Sequence, residues 1–214
     1  IPEALSKEGY FCSFYHAADE LSMGFKPFLR ANGLDQYMAQ QQYPNEDDFD
    51  GKWGIFDEPF LQFFENKLSS QQQPWCSGIF TISSHHPYTV PSQHHDLPKG
   101  TAEIHQAIGY TDRSLRAFFE SARTEKWFEN TIFIITADHT SINETYEHQG
   151  YRSKYGVPLL IYSKLMPAGI NDDVKQHIDI FPTVKQLAGI SKQVAMGRSL
   201  LDEKSQSAIH YDGT

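Results

Sequence analysis

Residues 131–140 read TIFIITADHT. A largely apolar run from Thr131 to Ala137 leads, with no spacer, into Asp138-His139. A run this short, apolar at both alternating positions, predicts a strand covered on both faces, the situation of a parallel sheet in an α/β layer. Asp138 and His139 then fall at its C-terminal end, where open α/β sheets place their ligands. A hard carboxylate oxygen and a borderline imidazole nitrogen leaving a strand together suit a divalent cation. The alternative is a loop cap beside a surface imidazole, and the dipeptide alone does not choose.

The same arrangement recurs twice. Residues 75–83 (WCSGIFTIS) predict a second strand, which opens into a long His-, Pro-, Tyr- and Gln-rich loop at 84–101 beginning Ser84-His85-His86-Pro87. Connections of that length inside a compact domain are often functional. Residues 9–15 (GYFCSFY) predict a third strand that ends at His16. Each has a plainer reading: the loop is simply His-rich, since Gln93-His94-His95 follows, and a lone His16 is a structural residue. In a parallel sheet, however, all three His-bearing strand ends open on the same edge.

The intervening segments set the fold class. Residues 17–30 mix a loop with a helix, Asn32-Gly33 is a turn, and 45–51 (NEDDFDG) is an acidic, solvated loop. Residues 59–68 (PFLQFFENKL) have helical apolar spacing with Pro in the first turn. Residues 102–123 repeat the pattern through Ile104, Ile108, Leu115, Phe118, Phe119 and Ala122. Residues 157–162 (VPLLIY) predict a strand, and 180–187 a helix ending near Gly189. This alternation predicts an α/β fold with a mostly parallel central sheet and helices on both faces.

At 214 residues, 39% hydrophobic and 14% aromatic, the chain can bury one sizeable core, so residues 1–214 are expected to form a single domain. A net charge of −9 without any Lys/Arg-dense block argues against a nucleic-acid partner or docking on an anionic membrane surface. An anionic substrate would have to be held locally, by a metal or a few buried donors. There is no run of eighteen apolar residues, and Ile1-Pro2-Glu3 lacks the features of a signal peptide. Because the chain begins in mid-pattern, it is expected to be a piece of a longer protein, with any anchor upstream. Cys12 and Cys76 have no CxxC spacing and read as two buried free thiols.

Taken in order, Gly9-Tyr10 with His16, Trp53-Gly54-Ile55 with Asp57-Glu58, residues 81–88 (TISSHHPY), Tyr110 with Asp112, Asn130-Thr131 leading to Ala137-Asp138-His139-Thr140, Val157-Pro158, Ile178-Asp179-Ile180 with Pro182-Thr183, and the closing residues 196–201 (MGRSLL) form a pattern. It resembles the sulfatase branch of the alkaline-phosphatase-like superfamily, most of all the lipoteichoic-acid synthases and phosphoglycerol transferases. The resemblance implies that Asp138 and His139 are metal ligands, with Mn²⁺ first and Mg²⁺, Zn²⁺ or Ca²⁺ as alternatives. It implies that His85 and His16 face the phosphoglycerol group, with His86 the less favoured neighbour. His177 and Asp179 are then structural, Asp179 as a helix cap.

The activity so implied is a metal-dependent phosphoglycerol transferase or phosphodiester hydrolase acting on anionic lipid head groups or cell-envelope glycans. Its setting is extracytoplasmic, periplasmic or cell-surface, with the parent protein held in the membrane by an upstream anchor. The family's nucleophile and its first-strand acidic ligand would both precede Ile1, so the 214 residues should carry the back half of a site and be inactive alone. Beside that missing front half, which is the larger departure from the family, two further features bear on this. Ser22-Met23-Gly24-Phe25 stands where many relatives carry a Trp or Asp and a basic or Asn residue that contact substrate. Neither cysteine lies in the Cys-x-Pro/Ser-x-Arg segment of formylglycine sulfatases, which favours chemistry at phosphorus. The alternatives are an arylsulfatase-like sulfuric ester hydrolase and a non-catalytic, degenerate sulfatase-fold module.

Overall fold

A computed structural model describes residues 1–141, 154–164, 166–190, 196–202 and 208. Its strands are β1 (Phe11–His16), β2 (Gln36–Met38), β3 (Trp75–Phe80), β4 (Phe133–Thr136) and β5 (Leu159–Tyr162). Its helices are α1 (Pro2–Ser6), α2 (Phe25–Ala31), α3 (Asp57–Ser69), α4 (Ile104–Ala122) and α5 (Ile180–Leu187). The fold is therefore α/β, with a small parallel sheet in the order β2-β1-β3. Tyr15 sits opposite Ile79 and His16 opposite Phe80 in that sheet.

The apolar run at 131–137 differs from its sequence reading. β4 is half-buried rather than covered on both faces, and its pairing among the described residues is antiparallel, Phe133 opposite Tyr162 and Thr136 opposite Leu159. Among the described residues the parallel sheet is thus shorter than expected, made of β1, β2 and β3. The physical reason is that β4's apolar side chains serve an aromatic layer: Phe133 lies 5.0 Å from Phe119, 5.4 Å from Phe128 and 6.0 Å from Tyr162, ring centre to ring centre. Apolar content reports burial against neighbours; it does not report strand direction.

Two helices cover the sheet's core residues. α3 opens with Asp57 and Glu58 ahead of Pro59, acidic groups at the positive end of the helix dipole and a proline whose missing N–H costs nothing there. It buries Phe60, Leu61, Phe64 and Leu68 on one face. α4 buries Ala107, Tyr110, Ser114, Phe118 and Ala122, a stripe at steps of three and four. The helix expected over 102–123 runs from Ile104 to Ala122, and its buried face is turned: Ile108 is half exposed, while small Ala107 and Ser114 are buried. Phe64 and Phe118 stack at 6.1 Å, and Ser121 Oγ donates to Glu65 Oε1 at 2.8 Å. Tyr15, Ile55, Phe60 and Trp127 complete this cluster.

Near the end of the described chain Asp179 acts as a junction. Its Oδ2 accepts from the Gln176 N–H at 2.8 Å and its Oδ1 from the Arg198 N–H at 2.9 Å. It therefore caps the short turn ahead of α5 and ties residues 196–202 to it, rather than capping α5 itself.

Candidate active site

Because β1 and β3 run parallel and His16 is level with Phe80, the end of β1 and the loop that follows β3 leave the sheet on one edge. His16 and His85 occupy that edge in different ways. His16 is 1% exposed, with Nδ1 3.0 Å from Tyr37 Oη and its ring against Phe25 at 5.1 Å and Phe80 at 5.6 Å. Burial lowers its pKa below the usual histidine value, with nearby Asp19 opposing the shift. Phe25, the first residue of α2, closes the ring off. Met23 (φ 58°) and Gly24 (φ 69°) place two successive left-handed residues just before it, turning the chain so that α2 returns over His16.

His85 is exposed. Its Nδ1 lies 2.8 Å from the His86 carbonyl, which can only accept, so Nδ1 carries the proton and Nε2 is left as the nitrogen able to accept. Trp53 Nε1 donates to that same carbonyl at 2.7 Å, and the indole stands edge-on to the His85 ring at 4.6 Å.

At the end of β4 the same device recurs. His139 Nδ1 donates to the Thr140 carbonyl at 2.8 Å, and Nε2 faces Asp138 Oδ2 at 3.4 Å. Asp138 Oδ1 accepts from the His139 backbone N–H at 2.9 Å. His177, expected to be structural, donates from Nε2 to the Ala137 carbonyl at 2.8 Å and so braces this strand end. Two lone-pair-bearing atoms 3.4 Å apart repel unless a proton or cation lies between them. A His whose Nδ1–H is held by a carbonyl is also the form in which histidines bind metals through Nε2. The donor set therefore fits one side of a divalent-cation site. Among the described residues no group of three or more His, Cys, Asp or Glu side chains converges, so the pair supplies two ligands and not a closed cage.

The geometry joins Asp138 to His139, and His85 to Trp53 and His86; it sets His16 with Tyr37, Phe25 and Phe80. Asp57 and Trp53 were not singled out from the sequence as site residues. Their signal was present only as members of the 53–58 motif, where an Asp in a helix's first turn reads as ordinary dipole compensation.

The profile of the family described as "Sulfatase" matches residues 1–190. The chain belongs to the sulfatase family. Within that family it is similar to lipoteichoic acid synthase 1 of Bacillus subtilis (strain 168), 25% identical over 225 residues that cover 96% of this chain and 35% of the relative. The chain thus spans about a third of the length of the curated relatives it matches. Among solved structures, a protein in the alkaline phosphatase superfamily from Vibrio parahaemolyticus superposes with a TM-score of 0.85 at 27% identity, covering 99% of this chain and 54% of that one. The lipoteichoic acid synthase LtaP of Listeria monocytogenes gives 0.75 at 22%, covering 89% and 52%. Two solved structures of lower similarity hold ligands. The C-terminal periplasmic domain of Escherichia coli EptC was solved with Zn (TM-score 0.53, 15% identity, 74% and 50% covered), and the phosphoglycerol transferase GacH of Streptococcus pyogenes with sn-glycerol-1-phosphate (0.51, 15%, 83% and 50%).

Proposed function

We propose that this chain carries part of the active site of a metal-dependent phosphoglycerol transferase or phosphodiester hydrolase, acting on anionic lipid head groups or cell-envelope glycans outside the cytoplasm. The observation that carries the reading is the Asp138–His139 pair, with Nδ1 held by Thr140 and Nε2 turned to the carboxylate. The similarity to lipoteichoic acid synthases supports it. On this reading Asp138 and His139 hold the cation, Mn²⁺ by preference over Mg²⁺, Zn²⁺ or Ca²⁺, and the bound cation supplies Lewis acidity toward a phosphoryl oxygen. His85 presents Nε2 to the substrate as a hydrogen-bond acceptor for a hydroxyl or, protonated, as a donor to a phosphate oxygen. His16 backs the same edge, and contact with substrate requires Phe25 to move aside.

The attacking nucleophile is assigned to none of the described residues, and turnover is expected of a full-length protein nearer the length of the relatives. No described helix is long and apolar enough to cross a membrane, so a membrane anchor would also lie in other residues. Calorimetric titration of the full-length protein with MnCl₂, set beside turnover of phosphatidylglycerol vesicles, tests the proposal. Asp138→Ala should abolish both, and unchanged binding and turnover would sink the reading. Robust turnover by the 214 residues alone would refute the assignment of the nucleophile elsewhere.

One observation favours a second reading. Phe25 packs on His16 where a substrate-facing imidazole would need to be open, as expected of a non-catalytic module that keeps the fold. Native full-length protein that binds Mn²⁺ yet turns over no phosphodiester or sulfate ester would favour it.

A further inference from the structure

Asp57 is 0% exposed and has no part in the site described so far. It opens α3, where the helix N-terminus favours a carboxylate, yet its carboxylate accepts nothing from its own helix. Oδ1 accepts from the N–H groups of Ile82 at 3.0 Å and Ser83 at 2.9 Å, and Oδ2 from Thr111 Oγ1 of α4 at 2.7 Å. The Asp57 N–H donates to Ser83 Oγ at 3.0 Å. The Ile82 carbonyl in turn accepts from the His85 N–H at 2.9 Å. One carboxylate therefore fixes the first half of the turn on which His85 stands and ties it to two helices.

The same short segment holds the other half. Four residues earlier, Trp53 donates to the His86 carbonyl, the group that fixes the His85 tautomer. Between these anchors, Gly54 lies against the residue that follows His16, with the Ile55 N–H donating to the Ala17 carbonyl at 2.9 Å. Residues 53–57 thus form a strap from the end of β1 to the turn after β3, with a buried, fully bonded charge at one end. A helix cap would spend its acceptors on the first turn of α3; Asp57 spends them on the His85 turn.

We propose that Asp57 is a positioning residue for His85, holding the imidazole as the Nδ1–H tautomer with Nε2 toward the substrate. The proposal rests on the reading of His85 as substrate-facing, so the test observes the imidazole directly as well as turnover. In the 214-residue chain, ¹⁵N-imidazole correlation spectra should show His85 as Nδ1–H in the native protein and in Asp57→Asn, whose side-chain oxygen still accepts from Ile82 and Ser83. Asp57→Ala should give a tautomer mixture at His85 while His139 is unmoved.

In the full-length protein, Asp57→Ala should lower kcat by about a hundred-fold, the order expected from misplacing a reacting group by an ångström, with KM little changed. Asp57→Asn should recover most of that. In a His85→Ala background the Asp57→Ala change should cost little more, since its effect runs through His85. A native His85 spectrum in Asp57→Ala, or an equal loss of turnover in the His85→Ala background, would overturn the proposal. If Asp57→Ala does not fold, Thr111→Val removes one donor to Oδ2 without leaving a cavity; it should shift the His85 ring signals, and an unchanged spectrum would overturn the proposal equally. A responsive imidazole in a protein without phosphodiester turnover would count against the functional reading and leave the positioning role standing.

Discussion

His177 Nε2 donates to the carbonyl of Ala137 at 2.8 Å, one residue before Asp138. A side chain forty residues on along the chain thereby fixes the peptide that aims the proposed ligand pair. Groups that orient ligands in this way typically contribute ten- to a hundred-fold in metal affinity. In the full-length protein His177→Ala should weaken Mn²⁺ binding by about that factor, roughly ten to a hundred, whereas His139→Ala should remove it. Calorimetric titration separates the two, and equal losses would mean that His177 is itself a ligand.

The burial of His16 makes a statement about pH. Its folded pKa lies below the unfolded value, so the unfolded chain takes up the proton first as pH falls. The stability linked to His16 is therefore complete above the unfolded pKa, about 6.5, and is lost as pH falls from there toward the folded pKa. Thermal melts between about pH 7.5 and about pH 5.5 should show a smaller fall in Tm for His16→Gln than for the native chain. Identical falls would mean that the ring finds a charged partner when protonated.

Cys12 and Cys76 are register partners across β1 and β3, and both are free. Burial pushes the Cys12 thiol up and that of Cys76 to about 12. Since the thiolate is the nucleophile, near pH 8 Cys76 has on the order of one molecule in ten thousand in reactive form. Mass spectrometry after iodoacetamide treatment should find the native chain essentially unmodified and the denatured chain carrying two adducts. Rapid native labelling would show that this end of the sheet opens.

Local pattern carried much of the fold. The helix at 180–187 and the start of the strand at Trp75 fall where periodicity puts them, and a strand leading straight into Asp138-His139 is visible in the residues alone. What was not legible is set by distant partners. β2 is only three residues, Gln36–Met38, too short for any period. The antiparallel pairing of β4 is decided by β5, some 25 residues away. The enclosure of His16 depends on Phe25 and on Tyr37 from other elements, so no reading of His16 in its own strand could find it. Asp57 is the clearest instance: its charge reads locally as a helix-start carboxylate, and only the three-dimensional return of residues 82–83 shows where its hydrogen bonds go.

Two glycines should respond to the same substitution with opposite signs. A Cβ on Gly54 would lie 2.1 Å from the Ala17 carbonyl oxygen and 2.7 Å from its carbon. Those atoms are backbone, so no side chain can swing away. Gly54→Ala must push the strap off the end of β1 and weaken the Ile55–Ala17 hydrogen bond, at a cost of about 1–3 kcal/mol. Gly109, in the middle of α4, has only the Leu97 Cδ2 at 3.8 Å near its would-be Cβ, an ordinary contact. Gly109→Ala should stabilise the chain by about 0.5–1 kcal/mol, because alanine loses less backbone freedom on entering a helix. Urea unfolding of both variants reads the two signs directly. A neutral Gly54→Ala would show that residues 53–57 can lift from Ala17 without loss, and with it that the strap does not hold the two strand ends together.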